Sequence, residues 1–160
     1  MHGKTFLIFI LVLLIGGAWI TWEFMSSDPG EKRLGFITSV TTNGNYGIIF
    51  DKAEWLSGKE GEDAAIAAGL CREETRYTCL PNDYIIRNAT VESEAHEFAT
   101  DVMITMQTFN MEQEGVHDTV ISRQEFEKLL NDSRAQWRQL PFEITIRSGL
   151  VREVKEIYVP

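Results

Sequence analysis

The chain has 160 residues, room for one domain beside a leader segment and too few for two comfortable domains. It carries 24 acidic against 15 basic residues, a formal net charge of −9. Residues 1–33 balance to zero, so the whole excess lies beyond them, where it argues against binding nucleic acid and against a basic patch for anionic lipid.

The first element is the run Phe6 to Trp22, FLIFILVLLIGGAWITW, which contains no charge. At a rise of about 1.5 Å per residue it is just long enough to cross a hydrocarbon core of roughly 30 Å. Lys4 precedes it and Glu23 follows, an asymmetry that leaves the N-terminus in the cytoplasm and residues 23–160 outside. The stretch Phe6–Ile15 with Gly16-Gly17-Ala18 also fits a cleavable signal peptide. Continued apolar character through Trp19, Ile20 and Trp22 favours an uncleaved anchor, and no cysteine follows for lipoprotein processing. The expected organisation is a signal anchor over 1–25, a linker over 26–33 and an extracytoplasmic domain over 34–160. The expected address is a bacterial inner membrane, crossed once through Phe6–Trp22.

Ser26–Arg33 is polar with a Pro-Gly turn signal. Gly35–Thr41 alternates as a strand, Asn43-Gly44-Asn45 marks a hairpin turn, and Tyr46–Asp51 returns. The alanine-rich run closed by Gly69 predicts a short helix over 61–68 with Ile66 as its core contact. Its Gly-Lys-Glu-Gly stretch lacks the order of a phosphate loop, and no cofactor is expected. Cys71 and Cys79, an even pair at short spacing in an exported chain, predict a local disulfide; the spacing is not that of a zinc site.

Leu80–Asp83 reads as a turn and Tyr84–Arg87 as a short strand, while residues 89–99 show little pattern. Asp101–Phe109 predicts a strand with Val102, Ile104 and Met106 on one face, followed by a loop over 110–119. Ser122 and Glu125 form a capping box, with Ile121 and Phe126 as its staple and Phe126, Leu129 and Leu130 as the buried stripe of a helix. A second hairpin closes the chain: Phe142–Arg147, a Ser148-Gly149 turn, and Leu150–Val159 with a bulge. Six strands and two short helices in mixed order predict an α+β fold, a small antiparallel, partly barrel-like sheet capped by the Ser122 helix.

Several pieces together resemble a family of small exported or membrane-anchored bacterial proteins. They are Asp51 with Trp55, the run Pro81-Asn82-x-Tyr84-Ile85-x-Arg87-Asn88, the Pro141–Val151 hairpin, and the terminal Glu156-x-Tyr158-Val159-Pro160. The resemblance spans most of residues 34–160. It implies a bacterial envelope location and transfers no activity and no catalytic residue.

Three constellations could carry chemistry. Glu92, Glu94, His96 and Glu97, with His117 and Asp118 later, offer oxygen and imidazole ligands for a divalent metal, but without a spacing that dictates geometry; a solvated charge run is the plainer reading. Asn82, Asp83, Tyr84, Arg87 and Asn88 around one strand are candidate binding residues, set against ordinary turn chemistry. No G-x-S-x-G occurs, and the cysteines are better explained as a bridge, so no residue is assigned as catalytic. The expected function is a non-catalytic binding or accessory module for a protein partner in the envelope. The alternatives are a metal-assisted hydrolase using Glu92, Glu94 and His96, or a structural subunit packing through its transmembrane helix at Gly16-Gly17.

Overall fold

The computed structural model describes residues 28–41, 46–132 and 136–159. The anchor expected over Phe6–Trp22 and the Asn43-Gly44-Asn45 turn lie outside them. Among the described residues no helix is long and apolar enough to cross a membrane.

Strands β1 (Glu31–Thr41) and β2 (Gly47–Lys52) pair antiparallel, with Thr41 opposite Gly47. The first half of the long β5 (Ser93–Met106) pairs antiparallel with β2. Strands β7 (Pro141–Arg147) and β8 (Leu150–Glu156) form the closing hairpin, β7 lying antiparallel to β1 and β8 parallel to β5. The ring β1–β2–β5–β8–β7–β1 is therefore closed. Counted along the chain, its strands run first, second, third, fifth, fourth, with one parallel pair, the connectivity of OB-type Greek-key barrels. A short β6 (Thr119–Ile121) adds outside β5.

Strand β1 starts at Glu31, ahead of the alternation at Gly35, because Glu31–Leu34 pair with β7; Lys32 also reaches Glu143 at 2.7 Å. Gly35 permits the barrel's tight crossing: a Cβ there would lie 2.2 Å from the Asp51 carbonyl oxygen. In the closing hairpin, Ser148 and Gly149 have φ of 51° and 77°, the pairing that a two-residue hairpin loop requires. The bulge falls at Arg152: Thr145 faces Glu153 while Ile146 faces Val151. That extra residue turns both Val151 and Val154 inward despite their three-residue spacing.

Ile37, Ile48, Phe50, Phe98, Ile104, Met106, Phe142, Ile144, Val151 and Val154 fill the barrel. The end plug is the helix over Arg123–Asn131, which drives Phe126 and Leu130 into that core, Phe126 meeting Phe142 edge to face at 5.8 Å. Its capping box forms as the Ser-x-x-Glu spacing predicts: the Glu125 N–H donates to Ser122 Oγ at 3.2 Å and the Ser122 N–H to Glu125 Oε2 at 2.8 Å. Trp137, in a 3-10 turn over Gln136–Gln139, packs against the same core.

Three differences from the sequence expectation matter. Residues 93–99, part of the stretch expected to show little pattern, form the first half of β5; their backbone closes the barrel, and before Phe98 only His96 turns its side chain inward, against Phe50, too little to show as apolar alternation. The loop expected over 110–119 contains a single helical turn, Met111–Glu114, before β6. Between β2 and β5 stands an unexpected strand β3 (Glu54–Ser57), which pairs with β4 (Tyr84–Arg87) as a separate two-stranded sheet. In chain order the helices are α1 (Gly58–Ala67), α2 (Met111–Glu114) and α3 (Arg123–Asn131). Ala64 and Ala65 are the buried contacts of α1, and Ile66 is only half-buried.

Candidate functional site

Residues 53–92 form an insertion on the barrel: β3, α1, a 3-10 turn over Glu73–Thr78, and β4. Helix α1 ends in a complete Schellman motif. Gly69 (φ 72°) donates to Ile66 O and Leu70 to Ala65 O, both at 2.9 Å. The chain then turns straight into the Cys71–Cys79 disulfide, which the sequence predicts and the structure contains. Arg76, at the middle of the clasped loop, bonds the Glu73 carboxylate at 2.8 Å and also Asp63 on α1. Lys59 reaches Asp63 from the other side at 2.6 Å. Arg76 holds the Glu73 carboxyl below the usual glutamate range, and Lys59 with Arg76 does the same for Asp63. Disulfide and ion pairs together fix the loop's shape.

The five candidate binding residues do not converge on a groove. Arg87 pairs with Glu54 directly opposite on β3. Tyr84 stacks on Trp55, ring centroids 4.1 Å apart, with its hydroxyl buried and without a hydrogen-bond partner. Asn88 Nδ2 donates to Asp51 Oδ2 at 2.7 Å. Asp51 is 5% exposed, and its other oxygen accepts the Glu92 N–H at 2.8 Å, so this carboxylate ties the base of the insertion to β2. Asp83 occupies a left-handed turn position (φ 57°), its N–H bonded to Leu80 O at 3.1 Å, beside exposed Asn82. A polar depression of about 290 Å³ does lie beside them, lined by Lys52, Glu54, Arg87, Ala89, Thr90 and Glu92, with cations and carboxylates interleaved.

The metal candidates separate as well. Glu94 and His96 share a face of β5, 3.3 Å apart, but Glu94 is bonded by Arg33 at 2.6 Å, and Glu92 accepts from Thr90 at 3.2 Å. Among the described residues no three His, Cys, Asp or Glu side chains group as metal ligands. Among the described residues His117 is the one imidazole beside both a hydroxyl and a carboxylate: Thr119 Oγ1 and Glu114 Oε2 each lie 3.0 Å away. Both face Nε2, while Nδ1 meets the Gly115 carbonyl at 3.2 Å. Hydroxyl and carboxylate thus compete for one ring nitrogen. A base–orienter relay needs its carboxylate on the opposite nitrogen. Asp118 is taken by Lys155 (2.8 Å) and Gln107 (2.9 Å), which hold its carboxyl below the usual range.

What remains on offer is apolar. Tyr77 is 88% exposed, Val91 80% and Leu70 67%, all within the insertion, and Trp55 is 40% exposed at its β3 strand. Leu70 and Tyr77 sit beside the two half-cystines. The sequence signal for them is slight: one leucine just ahead of Cys71 and one tyrosine in the otherwise polar stretch between the cysteines.

Barrel and clasped insertion define the class of molecule: a small OB-type domain carrying a rigid apolar-tipped appendage. No protein-family model, no curated protein and no solved structure matches the chain.

Proposed function

We propose that this chain is a non-catalytic binding module, an accessory subunit held in a bacterial inner membrane by residues 6–22 and presenting residues 34–160 outside. One observation carries the reading. The polar side chains that could do chemistry are largely engaged inside the fold, while the most exposed large apolar side chain among the described residues, Tyr77, is displayed on a loop already held by a disulfide and ion pairs. An ordered loop loses little conformational entropy when a partner covers it, and a presented tyrosine is a common anchor of protein interfaces. The Cys71–Cys79 bridge fits an oxidising compartment, as does the envelope location implied by the family resemblance. The test is chemical cross-linking in living cells, then purification of the full chain from detergent-solubilised membranes. A partner at fixed stoichiometry is the expected result; a chain that purifies alone as a monomer contradicts the reading.

A further inference from the structure

The insertion grows from one particular end of the barrel. It leaves β2 after Lys52, which lies opposite Gly35 on β1, and re-enters β5 at Ser93, opposite Asp51. The Ala53 N–H donates to Leu34 O at 2.9 Å, and Arg33 bonds Glu94 at 2.6 Å. Both roots of the insertion are thereby stitched to the first residues of β1. The chain enters the domain at that same end, where Asp28 accepts the Gly30 N–H at 3.0 Å just before β1 begins. Between Trp22 and Asp28 stand only residues 23–27, which span at most about 18 Å whatever their conformation.

We infer that the insertion is the membrane-facing side of the domain, and that its Leu70–Tyr77 loop docks on the extracytoplasmic surface of an integral membrane protein at an apolar pocket rimmed by basic residues. This rests on the anchored-module reading above. The short tether sets the distance; charge selects protein over lipid. From Glu54 to Arg87 the insertion carries seven carboxylates against four cations. Three of those cations, Lys59, Arg76 and Arg87, are already in ion pairs within it, while Glu74 in the clasped loop and Glu60 in the first turn of α1 stay exposed. An acidic surface of this kind is repelled by anionic headgroups and attracted by a basic protein surface. Tyr77, at 88% exposure, is the natural anchor for the pocket.

Val120 supplies the internal control. It is 67% exposed, but it lies on β6, paired with Thr105 at the far end of β5 from the insertion. A photo-reactive amino acid is placed at position 77 or at position 120 of the full chain, illuminated in living cells, and the adducts are identified by mass. The expected result is one integral membrane protein captured from position 77 and none from position 120. With that protein purified in detergent, Tyr77→Ala should weaken binding at least tenfold, roughly the loss of an interface anchor, while Val120→Ala leaves it unchanged. Raised salt should weaken the complex further. Capture from position 120 alone overturns the inference and leaves the binding-module reading standing. A phospholipid adduct alone at position 77, with no protein, overturns it in favour of membrane-surface docking. No adduct from either position, with the chain purifying alone, overturns both.

Discussion

Glu156 offers the sharpest test of how this fold is held. Its side chain is fully buried at the end of β8, yet among the described residues it makes no ion pair. Instead Oε2 accepts the Gln107 and Thr108 N–H groups at 2.7 and 3.1 Å, and Oε1 accepts the Thr108 hydroxyl at 2.7 Å. The carboxylate thus replaces strand partners for the backbone just past the end of β5. Glu156→Ala would leave two half-buried backbone N–H groups unpaired. Each costs about 1–3 kcal/mol, partly offset because a buried charge is removed, for a net loss of about 3 kcal/mol. Glu156→Gln keeps a carbonyl oxygen for both N–H groups, and its amide can donate to the Thr108 hydroxyl; it gives up only charge assistance, about 1 kcal/mol. In urea unfolding of the full chain in mild detergent, with a slope of about 1.5 kcal/mol per M, Ala should lower the midpoint by about 2 M and Gln by less than about 1 M. Equal losses for Gln and Ala, or an Ala variant within about 0.5 kcal/mol of the parent, would refute the reasoning.

Further outcomes follow from other parts of the molecule. Gly35→Ala should prevent accumulation of folded protein, because the new Cβ would meet the Asp51 carbonyl at 2.2 Å, and a barrel seam has no room to shift; soluble expression and circular dichroism check this. Ser122→Ala should cost about 1 kcal/mol through loss of the helix cap, read by thermal unfolding. The Glu125 carboxyl is held below its ordinary value chiefly by the Ser122 hydroxyl and N–H, so its contribution is present above the unfolded-state value and is lost as pH falls through the folded one. Glu125→Gln should accordingly lower stability at neutral pH and converge with the parent in acid, which flattens the acid side of the stability profile. Reducing the disulfide, which closes a loop of sequence separation 8, should release up to about 2.5 kcal/mol of loop ordering. Hydrogen exchange should then quicken over residues 70–79 while the barrel strands keep their protection.

Local chemistry was readable in the sequence. The Ser122–Glu125 box, the Gly69 stop, the Ser148-Gly149 turn and the Tyr84–Arg87 strand stand where their residue types require them, since each is decided by neighbours within a few positions. Strand β3 was not readable, because Glu54–Ser57 is short and its partner lies some thirty residues on, at Tyr84–Arg87. Nor was the first half of β5, whose pairing with β2 uses backbone while most of its side chains before Phe98 face water. The buried carboxylates of Asp51 and Glu156 could not be foreseen: an acid reads as surface until the N–H groups it serves are brought to it. At the candidate site the sequence pointed to the conspicuous run Asn82–Asn88, whose side chains mostly brace the insertion. It passed over Leu70 and Tyr77, whose exposure arises only once Arg76 and the disulfide set the loop's shape.

A partner seated on the Leu70–Tyr77 loop leaves its footprint there. Hydrogen–deuterium exchange of the full chain, alone and in complex with its co-purified membrane partner, reads this in one experiment. Slowed exchange over residues 68–79, with β6 and the loop before it unchanged, is the predicted result. Protection confined to residues 116–121, or none anywhere on the domain, would contradict it.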